Sequence, residues 1–319
     1  MEYKLGLDFG GTGIKAGVVD ETYKIIAKSS VPTRPDHDLE KTVDDMAALA
    51  KTVVRMAGLT FKDIKSIGVG CPSFIHPVTG RLVFVNNTNW INVPLREELE
   101  KRLPLPVSVE NDANCAVIGE ALAGAAKAVR NVLMLTLGTG VGSGLILNGK
   151  LFPGCDNMGM ELGHVPFKID GEMCTCGIRG CFEAYASVTA LIRQTREAMA
   201  ANPASGMNAY TSAHNGRVSG RTAFDCARQG DAAAKQVVDT YIDYVANGIG
   251  GFIDIFRPDV VLIGGGLSNE GENLLGPINE RLPKYVLAYD MIGAPQVKAA
   301  TLGNDAGIIG AACWDELKQ

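Results

Sequence analysis

Three cysteines stand within eight residues in "CTCGIRGC": Cys174, Cys176 and Cys181. His164 lies ten residues upstream of the first, in "MELGHVPF". A Cys₃His set has the ligand number and softness of a tetrahedral zinc centre. Four protein ligands leave no open position, so a metal held here shapes the chain and activates no water. Gly177 and Gly180 let the backbone fold around an ion. A disulfide framework or a reactive thiol are the competing readings. A disulfide fits poorly with a reducing cytosol and with the tight Cys174–Cys176 spacing. A reactive thiol does not account for three cysteines. The C-x-C-x₄-C spacing is not that of common zinc fingers. Cys71, Cys115, Cys155, Cys226 and Cys313 are scattered and read as small apolar residues.

A second chemistry lies in glycine turns after apolar strands. Backbone without Cβ atoms turns tightly, and its N–H groups can approach phosphate oxygens. "LDFGGTGIK" holds Gly10, Gly11 and Thr12, with Asp8 placed for Mg²⁺ or its waters and Lys15 for a phosphate. "LTLGTGVGSG" offers a second cradle at Gly138, Thr139 and Gly140. "VLIGGG" ends in Gly264, Gly265 and Gly266, where the flat face of a base can lie on backbone. Any one of these is also what a β-hairpin needs. Two of them repeat, Gly11–Val19 against Gly138–Ile146, both Gly-Thr-Gly-x-x-x-Gly before an apolar strand. Repetition at this long period points to two similar domains with a nucleotide held between them, and not to a solenoid. A dinucleotide fingerprint fits poorly, because "GGTGIK" leads into a strand, and G-x-x-x-x-G-K-[ST] is absent.

Strands and helices alternate around these turns. Residues 3–20 read as strand, turn, strand, and 23–33 as a third strand. A helix follows over 38–58, with an acidic first turn and Gly58 as its stop. Residues 64–73 form an apolar strand, and "PVSVENDAN" a strand entering a helix near Asp112. The pattern restarts at 131–150. Helices are expected over 182–201 and 232–256, with a polar, Gly-rich surface excursion at 202–222 between them. A last helix begins at Asp305. This is an α/β chain of two domains.

Bulk properties agree. The chain has 319 residues, 46% hydrophobic and 20% charged, with 38 glycines and a net charge of −5. It lacks a basic run for nucleic acid, an apolar run long enough for a membrane, and a signal-peptide pattern, so a cytoplasmic protein is expected.

"ELGHVPFKIDGEMCTCGIRGCFE" resembles the E-x-G-H and C-x-C-G-x-x-G-C-x-E elements of the ROK family (repressor, open reading frame, kinase). "LDFGGTGIK", "ENDAN", "LTLGTGVGSG" and "VLIGGG" fall where its members carry phosphate, catalytic and adenosine elements. The resemblance spans essentially the whole chain and is strongest to bacterial glucose kinases of the family. It implies the two-domain actin-like (ribonuclease H-like) sugar kinase fold with an interdomain active-site cleft. The expected domains are 1–118, then 119–302 with the zinc site, then a C-terminal helix at 303–319 packing back on the first. Repressors of the family place a helix-turn-helix domain ahead of the first glycine turn; here Asp8 already sits in that turn, so a kinase is expected.

The resemblance implies ATP-dependent phosphorylation of a hexose, glucose at its 6-hydroxyl first, with fructose, allose, mannose or N-acetylmannosamine, or a non-catalytic sugar sensor, as alternatives. Asp112 matches the general base, although read alone it is also a helix N-cap. Asn111, Glu161, His164 and Glu183 match residues that hydrogen-bond sugar hydroxyls, with His164 also on zinc. Asn87, in "VNNTNW", is a further sugar contact by the same resemblance. ATP, Mg²⁺ and structural Zn²⁺ are the implied cofactors, and a homodimer or homotetramer the implied assembly. Three departures stand out: Met160 and Ser73 where members often have Gly, and Thr88 where they have Leu.

Overall fold

The computed structural model describes residues 2–85, 88 and 90–318. Two compact units make up the chain. One holds Met1–Met134, Ser143–Met160 and Ala300–Gln319, the other Leu135–Gly142 and Glu161–Ala299.

The first unit is built on β1 (Tyr3–Phe9), β2 (Gly13–Asp20), β3 (Ile25–Pro32) and β4 (Ile64–Cys71), then the hairpin β5 (Leu82–Val85) and β6 (Trp90–Val93), then β7 (Val107–Asn111). Its main sheet has the order β3-β2-β1-β4-β7. β1 to β3 run antiparallel, whereas β1, β4 and β7 are parallel. Parallel strands end on the same side, so Asp8, Gly70 and Glu110 share one row of the register. That carboxyl edge is where open α/β sheets place their ligands.

Helix α1 (Leu39–Met56) starts at Asp38, whose side chain accepts from Lys41 N–H at 3.0 Å. It buries Val43, Met46, Leu49, Ala50 and Val53, a stripe at helical spacing. These join Leu5, Leu7, Phe9, Ile67, Val69 and Leu82 in one core. After α2 (Leu95–Glu100), α3 (Asp112–Ala123) follows β7 directly.

The second sheet has the order β10-β9-β8-β11-β12. Its strands are β8 (Val132–Leu137), β9 (Val141–Leu147), β10 (Lys150–Leu151), β11 (Val260–Gly264) and β12 (Gln296–Ala299). The helices are α4 (Glu183–Ala186), α5 (Val188–Ala201), α6 (Gly206–Ala213), α7 (Thr222–Arg228), α8 (Ala232–Phe256), α9 (Glu272–Tyr285) and α10 (Tyr289–Ile292). Two local expectations change. The helix read over 182–201 breaks at Ser187, whose extended backbone (φ −79°, ψ 165°) begins α5 as a side-chain cap on Ala190 N–H. The polar excursion at 202–222 contains α6, capped by Ser205 and anchored by buried Met207. A Ser cap before a single apolar anchor outweighs glycine-rich composition there.

The last helix, α11 (Asp305–Ala312), belongs to the first unit and packs backbone to backbone. A Cβ on Gly68 of β4 would lie 1.8 Å from Ala311 O, and one on Gly310 of α11 would lie 1.7 Å from Cys115 O of α3. Buried Glu120 of α3 holds the segment leading to α11, accepting from Thr301 N–H at 2.9 Å and Leu302 N–H at 2.7 Å. Because backbone cannot move aside as a side chain can, Gly68→Ala should cost about 1–3 kcal/mol and lower the thermal midpoint by roughly 2–10 °C. Gly251→Ala in α8, where a Cβ meets nothing within 4 Å, should not lower it. Equal midpoints for Gly68→Ala and wild type would contradict this packing.

Candidate active site and metal centre

In the first unit, the parallel strand ends bring Asp8 and the "ENDAN" segment to one edge. A Cβ on Gly70, between them in β4, would lie 3.6 Å from the Asp112 Cα and 3.1 Å from Cys115 Sγ, so a bare backbone lets α3 begin close to the sheet. Asn111, and not Asp112, is the helix cap: its Oδ1 accepts from Ala113 N–H at 2.9 Å and Asn114 N–H at 3.1 Å. That leaves the Asn111 Nδ2 as donor, 3.4 Å from Ser73 O. Asp112 is the first helical residue, and its Oδ1 accepts from Ala113 N–H at 2.9 Å. An acidic side chain there is favoured by the helix dipole.

Asp8 pairs with Lys15 across the β1–β2 ladder, Oδ2 to Nζ 3.0 Å. Lys15 Nζ also donates to Asn304 Oδ1 at 3.3 Å. The adjoining turn is closed by Gly10 N–H on Gly13 O at 3.0 Å and by the Thr33 hydroxyl on Gly10 O at 2.7 Å. Gly11 and Thr12 are exposed at its tip. Ser73 Oγ lies 2.9 Å from both Phe74 O and Phe84 O, so this departure from glycine ties its turn to β5. Thr88 is buried. Asn87 lies outside the described residues.

In the second unit, β8 and β11 end side by side. Gly265 has φ +79°, and a Cβ there would lie 2.5 Å from Leu137 O, so this glycine is fixed by both conformation and space. Gly138–Gly140 and Gly264–Gly266 therefore sit together at one end of the sheet. The first turn is held from the chain following Cys181: Val188 N–H donates to Gly138 O at 2.8 Å, and the Thr189 hydroxyl to Thr139 O at 2.7 Å. Glu183 Oε2 accepts from Val141 N–H at 2.8 Å. Sequence reading missed Ser187, Val188 and Thr189; the Ser cap in "ASVT" was their signal.

Glu161 precedes a single 3₁₀ turn, Leu162–His164. Burial, reinforced by Glu183, pushes its carboxyl above the ordinary range, against the opposing effect of His164. Met160 has φ +64°, the left-handed region that glycine occupies without strain, and the Ser143 hydroxyl donates to its carbonyl. That conformation explains why a glycine suits this position.

One ligand atom from each of His164, Cys174, Cys176 and Cys181 lies within 4.8 Å of the others. His164 Nδ1 is 3.7 Å from Cys174 Sγ, and Cys176 and Cys181 Sγ are 3.6 Å apart. A tetrahedral ion with ordinary Zn–S and Zn–N lengths needs ligand separations of about 3.6–3.8 Å. These two separations match such an ion, and the donor set is that of a tetrahedral zinc site. Since His164 turns Nδ1 inward, its Nε2 is the nitrogen left for other work.

A glycine turn closes a strand in each of two α/β units and a carboxylate opens a helix, and the structural neighbours give the whole as the two-domain actin-like sugar kinase fold. The ROK family model matches residues 4–317. Glucokinase of Thermotoga maritima is 39% identical over 316 residues, 97% of this chain and 95% of that protein. Glucokinase of Streptomyces coelicolor is 36% identical over 317 residues, 98% and 97% of the two chains. A ROK family glucokinase from Streptomyces griseus, solved in complex with glucose and AMPPNP, superposes with a TM-score of 0.86 at 34% identity, covering 98% of each chain. The chain belongs to the ROK family.

Glu110, one residue before Asn111, is buried, and its Oε1 accepts from Asn111 N–H at 2.8 Å and Asn114 Nδ2 at 3.0 Å. Burial raises its carboxyl above the ordinary range despite those two bonds. The native state therefore holds the proton more tightly than the unfolded chain. Its stabilising effect is complete below the ordinary carboxylate pKa and is lost as pH rises toward the raised value. Glu110→Gln cannot ionise, so its stability relative to wild type should rise with pH across that window. Urea unfolding on both sides of it checks this; a pH-independent difference would contradict it.

Proposed function

We propose that this chain transfers the γ-phosphoryl group of ATP to the 6-hydroxyl of glucose. The observation that carries the reading is full-length similarity to glucokinases at 36–39% identity, in a chain that keeps Asp112 at the head of α3 and a glycine turn at a strand end in each unit. Asp112 accepts the proton of the attacking hydroxyl, as a carboxylate can when held within hydrogen-bond reach. Asn111 Nδ2, Glu161, His164 Nε2 and Glu183 bind the other hydroxyls, with Asn87 as a further contact. The turns at Gly10–Thr12 and Gly138–Gly140 cradle phosphates by backbone N–H groups, and Gly264–Gly266 underlies the adenosine. Bound Mg²⁺ supplies charge neutralisation at the phosphates. Asp8 is its anchor or holds its waters, and Lys15 exchanges its Asp8 pairing for phosphate. The Cys₃His set holds Zn²⁺ structurally, fixing the sugar wall at both His164 and Glu183.

ADP release across a hexose panel tests the substrate, with glucose expected to give the highest kcat/KM; no turnover on any sugar with sugar binding retained would overturn the kinase reading. Asp112→Asn should lower kcat by at least about 10²-fold while glucose affinity stays within about threefold. Substantial residual turnover would remove Asp112 from the base role. Freshly purified protein should carry one zinc per chain. Stripping the metal from folded protein should weaken glucose binding, and unchanged affinity would contradict the structural link.

A further inference from the structure

We propose that Glu183 is also a positioning residue for the nucleotide, joining the metal clip to the phosphate turn. This rests on the kinase and metal readings above, which assign Glu183 to sugar alone. Its two carboxylate oxygens point to two different elements. Oε2 accepts from Val141 N–H at 2.8 Å, the first residue after Gly138–Gly140. A Cβ on Gly140 would lie 2.4 Å from that same oxygen, so the carboxylate packs directly against the turn. Oε1 faces the clip, 3.3 Å from both the Thr175 hydroxyl and Cys174 Sγ. A metal-bound Cys174 is a thiolate and has no proton to donate. The Thr175 hydroxyl, between two metal ligands, is then the clip-side donor that persists.

Val141 is buried, and Glu183 is the acceptor for its N–H. A buried backbone donor left without an acceptor is costly, so the turn should rearrange or loosen when the carboxylate is removed. The other two residues of the turn are held by Val188 and Thr189, on the same stretch that Glu183 begins. Metal loading thus fixes Thr175, Thr175 fixes Glu183, and Glu183 fixes the N–H row that faces phosphate.

Calorimetric titration with AMPPNP in the absence of sugar separates this from a sugar contact. Glu183→Ala should weaken AMPPNP binding by about tenfold. Glu183→Gln, whose amide oxygen can still accept from Val141 N–H, should recover most of that loss. Thr175→Val should weaken AMPPNP binding by about threefold with zinc content unchanged, and Thr175→Ser should restore it. Chelator stripping should weaken AMPPNP binding in wild type but add little in Thr175→Val. AMPPNP affinity equal to wild type in Glu183→Ala, or in zinc-loaded Thr175→Val should Glu183→Ala fail to fold, would overturn the proposal. Wild-type protein that binds no AMPPNP would instead sink the kinase reading, and this inference with it.

Discussion

Helix α11 meets the first sheet backbone to backbone at Gly6 and Gly68, and the edge that carries Asp8 and Asp112 depends on that contact. Carbonyls of Ile308 and Ala311 occupy the space where Gly6 and Gly68 would otherwise carry Cβ atoms. Because the helix sits this low, Gly307 comes against the Asp8 carboxylate, and Asn304 just before it reaches Lys15. The same helix presses Gly310 against Cys115 and Ala306 against Gly119, which sets the depth and tilt of α3. The residue at the head of α3 is Asp112. A shift of one backbone relative to another would therefore move the Asp8 and Asp112 carboxylates together. Such interfaces are stiff, because close-packed main chain has no rotamers with which to adapt.

The second unit achieves a similar result with a charged side chain. Its Gly138–Gly140 turn is met by the start of α5 and by one carboxylate. It is fastened by Glu183, Val188 and Thr189, all within the few residues after Cys181. The break at Ser187 makes this possible: a continuous helix would consume the Val188 N–H internally, whereas the cap frees it for Gly138 O. The Cys₃His cluster lies next to this segment, so the loop that carries the cluster and the Gly138–Gly140 turn are tied through the same few residues.

Much of this was legible in the sequence because it rests on residue type and short spacing. The paired Gly-Thr-Gly turns, the helix head at Asp112 and the Cys₃His set are local patterns, and each lands at a strand end, a helix start or a ligand cluster. What the sequence hid was mostly which atoms are already engaged. Asn111 takes the cap that Asp112 alone had suggested, since the chain turns one residue earlier. Lys15 is paired with Asp8 through a ladder register that glycine spacing does not reveal. The contact of α11 with β4 involves residues more than two hundred positions apart, and glycines in "IGVG" and "IIGAA" read equally well as turn or helix filler. Met160 shows the converse. Its departure from glycine was visible at once, but its left-handed backbone needed coordinates.

In a glucose kinase the phosphoryl group leaving ATP ends on the sugar 6-hydroxyl and not on water. Phosphorus NMR of the protein with ATP, Mg²⁺ and glucose distinguishes the two fates. ADP should appear in step with a single sugar 6-phosphate resonance, with orthophosphate a minor product. ADP matched by orthophosphate, or a sugar phosphate at another hydroxyl, would contradict it.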